Sequence, residues 1–174
     1  MKKMMQIELL SDKNFNENSL DEYERRHDVK RVYRRKGTEY VLVDMPYVED
    51  WSLEEKRQIA KKISGQDYRS YIALADEKVV GFIAMKKKLY EDYMIVDEMY
   101  VSAKCRGEGI GRKLFDLGKE EAKKAGARAL YMSACSSEET IAFYRAMGAI
   151  LTDHPIRSLA EKEPYDLQMV CKVE

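Results

Sequence analysis

Cysteine, proline and histidine are scarce in this 174-residue chain, and no long apolar run interrupts it. Three cysteines (Cys105, Cys135 and Cys171) are too few, and odd in number, for a disulfide framework, which points to a reducing cytoplasm. The two histidines, His27 and His154, lie far apart and form no metal spacing with cysteine, so no metal is assigned. No stretch reaches membrane length. Met1-Lys2-Lys3-Met4-Met5-Gln6 leads into no long apolar segment, so no signal peptide is expected. Neither sign of charge dominates: 31 Lys and Arg face 31 Asp and Glu. That balance excludes a global pull toward nucleic acid or membrane and leaves only local patches. Repeats, low-complexity tracts and Pro/Gly linkers are also missing, so residues 1–174 read as one domain. What is present, 45% hydrophobic and 36% charged residues, suits a folded core.

The pattern along the chain alternates strands and helices. Gln6 to Leu10 reads as a strand. Ser19-Leu20-Asp21-Glu22 fits a capping box opening a helix into the thirties that Gly37 would stop. Thr38 to Asp44 is β-branched and aromatic, hence a strand. Ser52-Leu53-Glu54-Glu55 is a second capping box, and Ile59, Ala60 and Ile63 share the face of the helix it opens, up to Gly65. Tyr71 to Ala75 and Val79 to Lys88 flank a hairpin turn at Asp76-Glu77-Lys78, and Tyr93 to Val101 is a further strand. From Ile110 the period becomes helical, through Leu114, Leu117, Gly118, Ala122 and Ala125 to Gly126. Arg128 to Ala134 is a strand. Ser136-Ser137-Glu138-Glu139 is a third capping box, and its helix ends before Gly148. Ala149 to Thr152 pairs with Tyr165 to Val173 across a charged loop from Pro155 to Pro164. The expected class is α/β (α+β), a mixed, largely antiparallel twisted sheet flanked by helices.

Arg106-Gly107-Glu108-Gly109-Ile110-Gly111 lies between a strand and an amphipathic helix. Alternate glycines let the backbone turn tightly and approach a ligand. The first N–H groups of the helix have no intrahelical acceptor and carry the positive end of its dipole. That is chemistry for a phosphate or pyrophosphate, with Arg106, Arg112 and Lys113 adding charge. The dinucleotide fingerprint fails, because Leu114 stands where its last glycine belongs, and no P-loop run exists. Read without a ligand, the same residues make an ordinary glycine-rich turn.

The run Met99-Tyr100-Val101-Ser102-Ala103-Lys104-Cys105 followed by Arg106 to Gly111 resembles the acetyl-CoA signature of the GNAT N-acetyltransferases. Ala142-Phe143-Tyr144-Arg145-Ala146-Met147-Gly148-Ala149 resembles the second signature of that family. The resemblance spans about residues 70–152. It implies an acyltransferase using acetyl-CoA as co-substrate. Residues 1–69 would form the acceptor-side half, 70–152 the acetyl-CoA-binding core and 153–174 a C-terminal strand. The backbone of Met99, Tyr100 and Val101 would pair with the pantetheine amides as an added strand. The amides of Gly107, Glu108, Gly109, Ile110, Gly111 and Arg112 would hold the pyrophosphate, and Tyr144 would face the thioester sulfur. Ser137 stands where the family often has asparagine against the pantetheine, and Ala149 where phenylalanine is usual.

Acetyl transfer to an amine needs the neutral amine, and a lysine-type amine has a pKa of about 10.4, so a base must take its proton. Tyrosine, at about 10, suits protonation of a leaving thiolate of about 8.5. Tyr144 is therefore the expected general acid, against the alternative of a core tyrosine on the last helix. Asp97 and Glu98 are the candidate bases. Strand alternation sends them to opposite faces, with Asp97 sharing the side of Met99 and Val101 unless a β-bulge reverses it.

For the acceptor, Met45 to Trp51 reads as an aromatic, acidic loop. Tyr47, Glu49, Asp50 and Trp51 suit a cationic amine through ion pairing and cation–π contact. Its Pro-Tyr-x-x-Asp-Trp run is loosely similar to a segment of streptothricin acetyltransferases, and an ordinary loop with Trp51 anchoring the next helix fits equally. The basic residues Arg25 to Lys36 read as a solvated helix face, and Cys105 as a small buried hydrophobe. The expected reaction is acetylation of a small cationic amine, with no nucleic-acid or membrane partner and a homodimer allowed. A protein lysine or N-terminus as acceptor, or a silent acyl-CoA sensor, are the competing readings.

Overall fold

The computed structural model describes residues 4–173. Met1 to Lys3, on which part of the expectation about a leader rests, lie outside the described residues. Among the described residues, nine strands and four α-helices follow in order: β1 (Met5–Leu9), β2 (His27–Lys36), β3 (Glu39–Glu49), α1 (Leu53–Ile63), β4 (Tyr68–Ala75), β5 (Lys78–Lys86), β6 (Tyr93–Val101), α2 (Ile110–Lys124), β7 (Ala129–Ala134), α3 (Glu138–Ala146), β8 (Ile150–Leu151), α4 (Arg157–Lys162) and β9 (Leu167–Lys172). Seven strands form one sheet in the order β1-β4-β5-β6-β7-β9-β8, and β2 and β3 form a separate hairpin. Every pairing in the large sheet is antiparallel except β6 with β7. This is the mixed, mostly antiparallel sheet with flanking helices that the sequence implies.

Local chemistry explains most boundaries. Ser52 accepts from the Glu55 N–H and Glu55 returns the bond to the Ser52 N–H, a complete capping box that starts α1. Asp76 and Glu77 both take positive φ (51° and 63°), the two-residue hairpin geometry whose twist matches the strands it joins. The N-cap of α3 is Ser137, which accepts from the Thr140 N–H, one residue later than the expected Ser136 box.

The expected helix after Ser19 does not form. Residues 27–36 are β2, paired with β3 around Gly37 at φ 64°. Tyr23, Arg25, His27 and Val29 are buried while their neighbours are exposed, a period of two rather than 3.6. β3 continues to Glu49, so the expected loop from Met45 is largely strand. The expected loop from Pro155 contains α4, which packs Ile156 and Leu159 beside Ile95 and Tyr131.

The two faces of the sheet carry different cores. Ile83, Met85, Met94, Val96, Leu130 and Met132 pack with Leu114 and Phe115 of α2 and Ile141 and Tyr144 of α3. Phe15, Leu20, Tyr23, Ile72, Phe82 and Ala84 pack with Ala60 and Ile63 of α1. Gly118 sets how closely α2 meets the sheet: a Cβ there would stand 2.9 Å from Ile83 Cδ1 and 3.1 Å from Met85 Sδ. Gly118→Ala overpacks that contact, and overpacking costs about 1–3 kcal/mol. Thermal unfolding of the variant should show Tm lowered by roughly 3–10 °C.

Candidate functional site

β6 and β7 are paired only from Tyr93–Ala129 to Val96–Met132. Beyond that register β6 continues to Val101 and β7 to Ala134 with no pairing between them. The two parallel strands part, and the main chain of β6 from Asp97 onward faces an opening instead of a neighbour. The glycine loop stands at the end of that opening. Residues Ala103–Cys105 form a short 3-10 turn, Gly107 and Gly109 adopt φ of 81° and 82°, and Gly109 is the N-cap of α2. A Cβ at either glycine would meet nothing within 4 Å, so open space lies above them. Positive φ there favours glycine, and the orphan N–H groups at the start of α2 face the same region. The cradle fits a pyrophosphate. Gly111 has a packing duty as well: a Cβ would lie 2.9 Å from the Phe143 ring of α3. Arg106 donates Nε–H to the Val101 carbonyl at 3.3 Å, tying the loop to the end of β6. Glu108 and Arg112 are exposed, and Ile110 is buried under the helix start.

The register shift between β5 and β6 makes Asp97 an extra residue, since Ala84 pairs with Glu98 and Met85 with Val96. This bulge overturns the expectation that Asp97 and Glu98 point to opposite faces. Met94 and Val96 before it, and Met99 and Val101 after it, keep to the α2 side, so Asp97 shares no face with Met99. Both carboxylates instead meet one cation: Lys62 Nζ of α1 lies 3.0 Å from Asp97 Oδ2 and 2.8 Å from Glu98 Oε1. The Tyr68 hydroxyl donates to Asp97 at 2.6 Å. Burial pushes both carboxyls up, but for Asp97 the Tyr68 and Lys62 contacts win and its pKa falls below the usual range. For Glu98 burial wins over Lys62 and its pKa is raised. Lys62 pairs with both carboxylates, of which Asp97 is the more acidic and Glu98 the less.

Tyr144 is buried on α3 against Phe115 and Phe143. Burial, with the nearby charges of Glu98, Cys135 and Asp166, pushes its hydroxyl pKa up, so it stays protonated at neutral pH. The backbone of Ser137, fully buried, bridges to Val32 of β2, and Ser136 accepts from the Tyr33 N–H at 2.8 Å.

The other face of the opening is walled by the β2–β3 hairpin. Trp51 packs on Tyr100 (4.9 Å between centroids) and near Tyr23 and Phe82. The Arg25 guanidinium lies 5.1 Å from the Trp51 ring and 4.5 Å from the Tyr100 ring, so the tryptophan already carries a cation of the protein. Glu49 accepts from Arg25 Nη2 at 3.0 Å, from the Tyr47 hydroxyl at 3.2 Å and from the Cys135 thiol at 3.6 Å, with His27 Nδ1 at 3.7 Å. Asp50 accepts from the Trp51 N–H at 2.8 Å and is exposed. Periodicity could not find three further residues here. Arg25 and Cys135 reach Glu49 only through the fold. Asp166 precedes β9, takes the Ser133 hydroxyl at 2.9 Å, and is raised to about 6 by burial and by Glu163 and Glu49, against the lowering effect of that bond. The basic residues of β2 lie on a strand and not on a helix, and two of them are engaged: Arg31 makes two bonds to Glu138, and Arg34 reaches Ser136 and the Tyr165 ring.

The contacts from His27 and Arg25 hold Glu49 at a pKa of about 2 despite opposing burial. A depressed carboxyl contributes stability that is complete above its unfolded pKa, about 4.3, and fades as pH falls toward the folded value. Glu49→Gln should therefore lose on the order of 2 kcal/mol at pH 7. The gap to the parent should begin to narrow below about pH 5 and close only as pH approaches about 2, measured by urea unfolding across that range.

Comparison with proteins of curated function finds no sequence match. Solved structures match over nearly the whole chain. Nourseothricin acetyltransferase aligns with TM-score 0.75 at 18% identity, covering 98% of this chain and 99% of its own. A protein of Bacillus anthracis assigned as a streptothricin acetyltransferase, solved with acetyl coenzyme A, aligns with TM-score 0.74 at 19% identity over 98% and 99%. The ribosomal-protein-S18-alanine N-acetyltransferase of Escherichia coli gives 0.60 at 16% identity over 98% and 95%. At such identities these likenesses establish the fold. The profile of the acetyltransferase (GNAT) family matches residues 38–149, which include the parted strands, the glycine loop and α3. The chain belongs to the acetyltransferase (GNAT) family.

Proposed function

We propose that this acetyltransferase moves the acetyl group of acetyl-CoA directly onto the primary amine of a small cationic molecule. The parted β6 and β7 carry the reading, because an unpaired strand edge beside a positive-φ glycine loop suits a pantetheine amide chain ending in a pyrophosphate. Met99, Tyr100 and Val101 would offer main-chain partners to that chain. Arg106 to Arg112 would cradle the phosphates, and Ser137 would stand beside the pantetheine. The co-substrate supplies the activated acyl carbon when bound.

Tyr144 is the proposed acid and Glu98 the proposed base, directly or through one water. Glu98 takes a proton from the acceptor ammonium, and the freed lone pair attacks the thioester carbonyl. The C–S bond breaks as Tyr144 gives its proton to sulfur. The nitrogen releases its second proton, which restores the tyrosine. Asp97, paired with Lys62 and Tyr68, holds the bulge in place. Tyr47, Glu49, Asp50 and Trp51 form the proposed acceptor wall, joined by Asp166, and the acidic balance of that wall favours an ammonium.

Calorimetric titration of acetyl-CoA and free-thiol assays over an amine panel test the reading; no binding and no thiol release end it. Tyr144→Phe should lower kcat by about 10²–10⁴-fold with coenzyme affinity unchanged. Glu98 acts ionised, so kcat/KM should fall as pH drops through its raised pKa. Glu98→Gln should remove that limb along with most of the rate. Membrane attachment has no support from the helices: none among the described residues is long and apolar enough to cross a bilayer.

A further inference from the structure

A buried polar atom without a hydrogen-bond partner carries an uncompensated desolvation cost, so each one needs a reason to exist. Among the described residues, four side-chain atoms are of this kind: Tyr23 Oη, Arg25 Nε, His27 Nε2 and Arg69 Nε. Three of them sit at alternate positions of one segment, and their residues all line a single open cleft of about 690 Å³. Arg106 of the glycine loop and Glu139 of α3 line it too. His27 Nε2 has Glu139 Oε2 at 3.5 Å, and Arg69 Nε has Glu121 Oε2 at 3.3 Å away from the cleft. Tyr23 Oη and Arg25 Nε remain, two donors with no acceptor, on residues 3% and 9% exposed.

Their position relates them to the reaction. The Arg25 guanidinium stacks on the Tyr100 ring at 4.5 Å, and the Tyr100 hydroxyl helps hold the charge of Glu98. The Tyr100 ring thus stands between Arg25 and the proposed base, and Tyr23 packs beside it through Trp51 and Phe82. The ligand group they await must accept hydrogen bonds. It need not be an anion, because Glu49 already neutralises Arg25 at 3.0 Å and stays ionised. The rest of the cleft wall carries both signs, Glu22, Glu24, Asp28, Asp50 and Glu139 against Arg26, Lys56 and Arg106, so its charge does not call for an anion either.

We propose that the acceptor bears, besides its reactive amine, an uncharged carbonyl oxygen of amide type that docks on the Tyr23 hydroxyl and Arg25 Nε. This rests on the reading of the site as an amine acetyltransferase, and it narrows the acceptor class from amines at large to amino-amides. The reactive amine then lies toward Glu98 and Tyr144 and the carbonyl on the far side of Tyr100.

The test uses three amines of like length: lysinamide, lysine and cadaverine. In the parent protein kcat/KM for lysinamide should exceed that for cadaverine by about tenfold, the scale of one good hydrogen bond to a charged donor pair. Tyr23→Phe keeps the ring among Trp51 and Phe82 and deletes only the orphan hydroxyl. It should bring the ratio to within about threefold, with Tm equal or higher. Calorimetry of lysinamide into the CoA-loaded protein supplies a readout that does not need turnover, with affinity lower in Tyr23→Phe. An unchanged ratio and unchanged affinity in Tyr23→Phe overturn the proposal, as does undetectable binding of the amide or a preference for lysine over lysinamide. Tyrosine-dependent binding with no thiol release from any amine would remove the acetyl-transfer reading and leave the carbonyl subsite standing.

Discussion

Everything at the candidate site depends on β6 and β7 ceasing to pair after Val96 and Met132. A parallel pair normally satisfies its main-chain groups strand to strand, and leaving them open inside a domain is costly unless something else binds there. The bulge at Asp97 belongs to the same event. It restores the inward side chains of β6 to the α2 face after the break, so the core loses little. It turns two consecutive carboxylates toward Lys62. One local irregularity therefore creates the opening, places the acidic pair beside it and preserves the packing behind it.

Electrostatics divides the labour among the acids. Asp97 and Glu49 are each matched with cations and hydroxyl donors, and both have depressed pKa values. Glu98 and Asp166 are less well compensated and have raised values. A pair of environments that push carboxyls apart in pKa is a common basis for assigning acid–base roles. The aromatic cluster of Tyr23, Trp51, Phe82 and Tyr100 encloses Arg25, the cation that pairs with Glu49.

The sequence was most informative where one physical signal dominated. The complete capping box at Ser52, the strand from Tyr93 to Val101 and the glycine loop before Ile110 all appear at their expected positions. β2 escaped because the buried alternate positions that lead into it hold Tyr23, Arg25 and His27, which read as polar in a charged stretch until their partners across the fold are known. The Ser137 cap slipped by one residue because Thr140 replaced the glutamate that the capping-box pattern looks for. The bulge at Asp97 is a property of strand pairing, and a single strand's alternation cannot reveal it. Asp166 and Cys135 carry no motif, and they join the site only because β9 and β7 converge on β3.

The β2–β3 hairpin is fastened to the start of α3 at several points: the Tyr33 N–H to Ser136, the Val32–Ser137 bridge, Arg34 to Ser136 Oγ at 2.8 Å and Arg31 to Glu138 at 2.6 Å. The wall bearing Tyr47 and Glu49 and the cap of the helix bearing Tyr144 are consequently one mechanical piece. Loosening that hairpin would therefore disturb α3 along with the proposed acceptor wall. Changes to that wall are best made by exchanging side chains on a frame left intact.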